Sequence, residues 1–213
     1  MRRLNPSEAT VTRATRATRG GARTSTAIRE AAAKLFYSHG YEATSLRAVA
    51  SEVGIQVGSL YNHISGKDEL LSDIMISVMD ELLESVHEAI AQAKPGAVNK
   101  FKAAVDCHIR YHAEHAREVF IGNSELRALS AEDLDEVLGK REEYEKLIQS
   151  LVKNVAKETG ADVLDAKLQT YSVLAQGAHV SSWYKPGGPK SLDKVVKTYI
   201  TMALRQLGVD ESS

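Results

Sequence analysis

The chain has 213 residues, of which 43% are hydrophobic and 26% charged, and its formal net charge is −1. This length and apolar content suffice for one or two domains with their own cores. No run of about eighteen apolar residues occurs, so we expect no membrane span and no membrane partner. Cys107 is the only cysteine. An internal disulfide is therefore excluded, which fits the reducing cytoplasm, where we expect the protein to be located.

The near-neutral total conceals a basic N-terminal arm. Residues 1–25 hold six arginines and one acid, a net charge of +5, whereas the remainder carries −6. This asymmetry favours a polyanion partner at one end of the protein. Residues 1–23 are rich in Thr, Ala, Arg and Gly and poor in large apolar residues, which predicts a disordered arm in the free protein. Contacts to the minor groove or to phosphates, and a solvated tail without defined contacts, are both open for this arm.

Three short helices are predicted between residues 24 and 70. The first ends at Gly40, and the second follows the Ser45 hydroxyl, which is suited to capping a helix N-terminus. A turn containing Gly54 then leads to a third helix from Val57 to His63. A helix, a tight glycine turn and a second helix form the helix-turn-helix arrangement, whose second helix reads the major groove of DNA.

The third helix carries the side chains that such a reading needs. Gln56 and Asn62 offer amides that can pair with adenine, whereas Leu60 and Ile64 are expected in the core. For His63, packing and groove contact are equally open. The residues expected to meet bases or phosphates are Thr44, Ser45, Gln56, Val57, Gly58, Ser59, Tyr61, Asn62, His63 and Lys67.

This segment resembles the TetR family of bacterial transcription regulators. The resemblance implies that Tyr61 and Lys67 contact phosphates and that Gln56, Val57, Ser59 and Asn62 meet the bases. The matching residues are Phe36, Gly40, Tyr41, Thr44, Ser45, Ala50, Gly54, Ile55, Gly58, Ser59, Leu60, Tyr61, His63, Lys67, Leu70 and Leu71.

The rest of the chain predicts a larger helical body. A wide apolar stripe indicates one long helix from Lys67 to Ala93, which would connect the DNA module to this body. Further helices are predicted at residues 97–115, 117–128, 131–158, 162–184 and 191–207. No strand pattern appears, so we expect an all-α fold. It comprises an N-terminal three-helix DNA-binding domain at residues 24–70 and a ligand-binding and dimerisation domain at residues 71–210.

The last two predicted helices each carry a stripe suited to an interface. These stripes consist of Leu168, Tyr171, Ala175, Ala178 and Ser182, and of Leu192, Val196, Tyr199, Ala203 and Leu207. Packing within one subunit is the alternative. We favour a homodimer, because a two-fold DNA site needs paired recognition helices about one helical turn apart. In TetR-like proteins such a C-terminal pair meets its copy in a four-helix bundle.

A rigid turn, Trp183-Tyr184-Lys185-Pro186-Gly187-Gly188-Pro189, separates these two helices. Its WYxPGGP pattern resembles a subgroup of TetR-like repressors that respond to acyl-coenzyme A thioesters of fatty-acid or steroid breakdown. The proline and glycines are explained equally well by turn chemistry.

Polar and aromatic residues in the body are candidates for a ligand pocket, and each has packing in the core as its alternative. They are His108, Tyr111, His112, Tyr144, Tyr171, Gln176, His179 and Trp183. His108 and His112 have a spacing that can bind a metal, but no third ligand is fixed, so we expect no metal. Arginines that could attract a ligand phosphate are Arg110, Arg117, Arg127 and Arg141.

These features together predict a sequence-specific DNA-binding regulator. We expect a repressor that a small-molecule inducer releases from a near-palindromic double-stranded operator. The resemblance suggests an acyl-coenzyme A thioester, while a different hydrophobic effector, or none, stays open. No nucleophile elbow, phosphate loop or paired catalytic motif is visible, so we expect neither an enzyme nor a cofactor.

Overall fold

The computed structural model describes residues 6–209, with side chains from Arg23 onward. Within this range all regular secondary structure is α-helix or 3₁₀-helix and no strand occurs, which confirms the all-α expectation. The chain divides into two compact units, Met1–Ile74 and Met75–Ser213. No helix in the part of the chain that was searched is long and apolar enough to cross a membrane.

The helices follow one another with short connections. A 3₁₀ turn, Leu126–Ala128, precedes the longest helix of the second unit. In chain order the described α-helices are α1 (Pro6–His39), α2 (Leu46–Val53), α3 (Val57–Leu60), α4 (Lys67–Gln92), α5 (Ala97–Glu114), α6 (Ala116–Ser124), α7 (Ala131–Thr159), α8 (Ala166–Ala178), α9 (Val180–Trp183) and α10 (Leu192–Gln206).

The start of α1 differs from the composition-based expectation for the basic arm. The backbone is helical from Pro6, whereas disorder was expected for residues 1–23. Alanine and arginine have high helix propensity and proline is tolerated in the first turn, whereas the threonines and the Gly20-Gly21 pair disfavour a helix, so the disordered arm stays a prediction. Residues 1–5 lie outside the described range. The domain boundaries and the arm's contact with DNA stay predictions.

The first unit has a small apolar core at the junction of its helices. Phe36 and Leu60 are fully buried, and Ile64 is 6% exposed, as the helical spacing predicts. The Phe36 ring meets the Tyr41 ring edge-on, with centroids 5.1 Å apart. The buried Leu60 and Ile64 anchor α3 and the turn after it in this core.

The ends of α2 are set by side-chain and backbone chemistry. Ser45 accepts a hydrogen bond from the Ala48 amide at 3.2 Å, as expected for an N-cap. Gly54 ends the helix in the left-handed region, with φ +78°, where any other residue would be strained. Because the chain turns sharply at Gly54, α3 follows α2 after only three residues.

In the second unit α5 packs against α7, α8 and α10. Its buried face includes Phe101 and Ile109, and both are at most 1% exposed. The approach of α5 to α8 is closest at Gly177, where an added Cβ would overlap the His108 ring. A glycine is therefore required at this point of α8 by packing.

The predicted helix at residues 162–184 is two helices in the structure. Asp165 starts α8 because its carboxylate accepts from the Lys167 and Leu168 amides, at 2.8 and 3.0 Å. The helix is interrupted at His179, which caps α8 and precedes the short α9. The connection before Asp165 is not helical, so the prediction placed this start four residues too early.

Candidate functional site

The outer side of α3 and the turn after it presents polar side chains to solvent. Gln56, Ser59, Tyr61 and Asn62 are exposed, and Tyr61 reaches 54% exposure. None of the four makes a side-chain hydrogen bond to another described residue. Gln56 occupies the N-cap position of α3 without using its amide to cap it. Their donors and acceptors are therefore available to an outside partner.

Gly58 lies in the middle of this outer surface. Its backbone is not in the left-handed region, and an added Cβ would meet nothing within 4 Å in this chain. Neither backbone strain nor internal packing therefore requires glycine here. The absence of a side chain at Gly58 would instead let another molecule come close to the backbone. Val57, next to it, is half-buried.

Thr44 and Ser45 have different surroundings. Ser45 is exposed at the N-terminus of α2. Thr44 is only 5% exposed, and its hydroxyl donates to the Gly40 carbonyl at 2.8 Å. Its role is therefore internal: the hydroxyl closes the C-terminal end of α1, where backbone carbonyls lack helical partners. The DNA contact expected of Thr44 stays a prediction.

Lys67 also has an internal function. Its Nζ donates to the carbonyls of Tyr41 and Glu42, at 3.1 and 3.3 Å, and lies 4.2 Å from the centre of the Tyr41 ring. These contacts explain a lysine in the first turn of α4, where the helix dipole disfavours a cation. His63 is half-buried, and its Nδ1 lies 3.2 Å from the Ser25 hydroxyl. Packing accounts for His63.

Arg47 is a candidate that the sequence reasoning missed. It is exposed in the first turn of α2, two residues after the Ser45 cap. No described residue forms an ion pair with it. A cation beside a helix N-terminus is a suitable place for a phosphate. The signal that identifies it is a basic residue directly inside the predicted cap.

The second unit contains a cavity of about 430 Å³. It is bounded by α4, α5, α6, α7 and α8. Five of the eight predicted ligand residues line it: His108, Tyr111, His112, Tyr144 and Tyr171. The apolar part of its wall includes Met75, Val78, Met79, Leu82, Val119, Val137 and Leu174. Charged side chains in its wall are Glu118, Arg141 and Glu145.

Two buried histidines form a hydrogen-bonded network beside this cavity. His108 Nε2 lies 3.1 Å from the Leu174 carbonyl, and its Nδ1 lies 2.9 Å from the Tyr144 hydroxyl. Burial lowers the pKa of His108 well below the usual value, so the ring is neutral and donates from Nε2 while Nδ1 accepts from Tyr144. Both ring nitrogens are thereby used inside the protein.

His112 has one ring nitrogen engaged. Its Nδ1 donates to the His108 carbonyl at 2.8 Å. Burial, aided by His115, lowers the pKa of His112 to about 4, so its Nε2 carries a free electron pair at neutral pH. Tyr111 donates its hydroxyl to the Val78 carbonyl at 2.9 Å. Burial and nearby Glu81 raise the pKa of Tyr111, which therefore stays protonated.

Three predicted ligand residues lie outside the cavity wall. Gln176 donates to the Ser172 hydroxyl at 2.8 Å, and the His179 ring lies 3.2 Å from the Ser182 hydroxyl. Trp183 is 39% exposed, and its ring faces Tyr184. Gln176 precedes the end of α8 at His179, whereas Trp183 follows it, and the helical periodicity did not reveal this interruption. Among the residues searched, no group of three or more His, Cys, Asp or Glu is arranged to hold a metal.

The two C-terminal stripes differ in exposure. On α8, Leu168 and Tyr171 are 64% and 42% exposed, and Ala175 is exposed beside them. On α10, Val196, Ala203 and Leu207 are buried in the core of their own unit. Three of the five residues of the α10 stripe therefore pack within their own unit, where α10 contacts α5 and α8, and an interface through α10 stays a prediction. The α8 stripe stays available for a partner.

The first unit thus has the architecture of a helix-turn-helix DNA-binding module, and the second is a helical domain with an apolar cavity. Comparison with known proteins agrees with this class. Residues 28–74 match the family model "Bacterial regulatory proteins, tetR family". Residues 94–207 match the model "Tetracyclin repressor-like, C-terminal domain".

The chain belongs to the TetR family of DNA-binding transcriptional regulators. One curated relative is the HTH-type transcriptional repressor KstR2 of Rhodococcus jostii, 28% identical over 185 residues, or 84% of this chain and 88% of the relative. A TetR-family structure from Rhodococcus RHA1 has a TM-score of 0.80 at 23% identity, covering 88% of this chain and 98% of the other. AibR, solved with isovaleryl coenzyme A and operator DNA, has a TM-score of 0.74 at 25% identity, covering 84% and 97%.

Proposed function

We propose that this protein is a transcriptional repressor that binds a near-palindromic operator as a homodimer and leaves it when a hydrophobic small molecule enters the cavity. One observation supports the proposed binding to operator DNA. Gln56, Ser59, Tyr61 and Asn62 form a continuous exposed set of polar side chains without partners among the described residues. Groups of this kind on the second helix of a helix-turn-helix are suited to the major groove.

The four side chains divide by chemistry into base readers and phosphate contacts. The amides of Gln56 and Asn62 can each pair with both the donor and the acceptor of an adenine edge. The Tyr61 hydroxyl and the Arg47 guanidinium suit phosphates, which fix the register without reading sequence. Gly58 lets the α3 backbone come close to the DNA. Lys67, whose Nζ holds the Tyr41 and Glu42 carbonyls, supports the module from inside.

The exposed α8 stripe supports the homodimer. Leu168, Tyr171 and Ala175 form an exposed apolar strip, two of whose members, Tyr171 and Ala175, also line the cavity. A second copy of the same helix would cover it in a two-fold contact. Two-fold pairing would in turn set two recognition helices at the spacing of two half-sites.

The cavity supports regulation by a ligand. Its volume of about 430 Å³ lies within the range of small-molecule sites, roughly 300–1,000 Å³. The α4 helix contributes Leu70 and Leu71 to the core of the first unit and Met75 and Met79 to the cavity wall. A ligand that changes the position of this wall would therefore act on a helix that also belongs to the DNA module.

The relatives favour an acyl-coenzyme A thioester as the effector. AibR was solved with isovaleryl coenzyme A, and a solved KstR2 of Mycobacterium tuberculosis is described as a ketosteroid transcriptional regulator. The WYxPGGP turn of this chain agrees with that subgroup. A different hydrophobic effector, or constitutive binding without one, is the alternative.

The assignment of base readers is tested on an operator selected from random DNA with the full-length protein. Gln56→Ala and Asn62→Ala should each relax the preference at particular base pairs, by about 1–3 kcal/mol. Tyr61→Phe should weaken binding to all sequences alike, by about 0.5–1.5 kcal/mol. Asn154→Ala, an exposed asparagine of α7, is the matched control and should retain both affinity and preference. Uniform effects from all three DNA-module variants would contradict the division into readers and phosphate contacts.

A further inference from the structure

The four arginines that the sequence offers for a ligand phosphate differ in their surroundings. Arg110 pairs with Asp106 and Asp193, at 3.1 and 2.7 Å, and Arg117 and Arg127 are exposed. Arg141 instead lines the cavity and is half-buried. The four arginines are indistinguishable by sequence alone, and the structure singles out one of them.

Arg141 is a cation with no ion-pair partner among the described residues. Its Nη2 donates to the Gly122 carbonyl at 2.6 Å, which fixes the guanidinium against α6. No carboxylate among the described residues forms an ion pair with it, although Glu118 and Glu145 line the same cavity. Burial alone lowers the pKa of Arg141, with no compensating carboxylate. A half-buried charge normally has a partner of opposite sign, because removal from water is costly.

Four other polar side chains of the cavity wall already use their hydrogen-bond donors inside the protein, whereas Asn123 and Tyr171 are neutral groups without the charge of Arg141. The Tyr111 and Tyr144 hydroxyls donate to the Val78 carbonyl and to His108 Nδ1. The two histidines donate to backbone carbonyls. The guanidinium keeps further N–H groups beyond the one bonded to Gly122, and these suit the planar oxygens of a carboxylate or the oxygens of a phosphate.

We propose that Arg141 is the anion-binding group of the effector cavity, and that the ligand is an apolar molecule carrying a carboxylate or phosphate that pairs with this guanidinium. The apolar body would lie against Met75, Met79, Leu82 and Val137. This inference rests on the proposed function as a ligand-regulated protein. Its test measures ligand binding in the absence of DNA, so it can fail or succeed independently of operator release.

The test is calorimetric titration of the full-length protein with four probes of equal chain length: dodecanoate, dodecanoyl-coenzyme A, dodecan-1-ol and dodecylamine. The unmodified protein should bind at least one anionic probe more tightly than the alcohol and the amine. Preference for dodecanoate assigns the anion to a carboxylate, and preference for the thioester assigns it to the phosphates of coenzyme A.

Arg141→Met should weaken binding of the preferred anionic probe about 10- to 150-fold, the value of a hydrogen-bonded charge, and leave binding of the alcohol unchanged. Unchanged alcohol binding shows that the cavity still folds without the Gly122 contact. Arg141→Lys should restore part of the loss, since it keeps the charge without the planar fork. Arg127→Met removes an exposed arginine outside the cavity wall and should change nothing.

Three results would overturn the proposal. The first is anion binding by Arg141→Met that equals that of the unmodified protein. The second is tighter binding of dodecylamine than of either anion, which would assign the cavity to an organic cation held by Glu118 and Glu145. The third is an unmodified protein that binds none of the four probes.

Discussion

The outer surface of α3 and the wall of the cavity use polar side chains in opposite ways. At the two ends of α3, Gln56, Tyr61 and Asn62 are exposed and make no hydrogen bonds to other described side chains. In the cavity wall, His108 and Tyr144 are buried and bonded to each other. A polar group that is satisfied inside the protein contributes to stability, whereas an unsatisfied exposed one is available for recognition. Changes in the cavity wall should therefore alter stability, and changes on α3 should alter DNA affinity.

The largest expected difference between the two regions is a pH dependence of stability. The pKa of His112 is lowered to about 4 by burial, against an ordinary value of 6.5. Below pH 6.5 the His112 side chain is protonated in the unfolded chain but stays neutral in the folded protein. The contribution of neutral His112 to the free energy of unfolding is therefore complete above pH 6.5. It decreases by about 3 kcal/mol as the pH falls towards 4. His108, whose pKa is lowered by burial as well, acts in the same direction.

Urea unfolding between pH 7 and pH 4 measures this loss. Carboxylates also titrate in this window, so the comparison is between variants. His112→Asn should make the decline shallower, and His87→Asn, which changes an exposed histidine of α4, should leave it as it is. Identical pH profiles for His112→Asn and the unmodified protein would show that His112 is not the buried neutral base described above.

A pair of glycine substitutions tests the packing of the cavity region. Gly177→Ala places a Cβ against the His108 ring and should destabilise the protein by about 1–3 kcal/mol. Gly139→Ala, in α7, meets nothing within 4 Å and should stabilise it by about 0.5–1 kcal/mol, because alanine is the better helix former. Thermal unfolding of both variants gives the answer. An equal gain from both would mean that α5 and α8 lie farther apart at Gly177.

The same contrast explains how far the sequence alone could predict this protein. The DNA module is built from short-range signals, so the Ser45 cap, the Gly54 turn and the burial of Leu60 were all predictable. The internal roles of Thr44 and Lys67 were not, because their partners lie on other helices or in the turn between them. A polar residue in a motif shows its chemistry but not whether that chemistry is already used.

The body was harder to predict because periodicity shows which face of a helix is apolar but not what covers it. The α10 stripe and the α8 stripe look alike in sequence, yet the first is buried and the second exposed. Gln176 lies on another face of α8 than the cavity-lining Leu174, Ala175 and Ala178, and His179 and Trp183 lie at and after the end of this helix. Arg141 became distinctive only when its burial, and its lack of a carboxylate partner within residues 23–209, were known.

The most direct test of the account is an operator titration with and without effector, using the full-length protein and its selected DNA site. The coupling between ligand and DNA sites is typically about 1–3 kcal/mol, so an acyl-coenzyme A thioester should weaken operator binding about 5- to 150-fold. Thioesters of several chain lengths and of ring acids should be compared. Equal operator affinity with and without every one of them would contradict release by this class of effector.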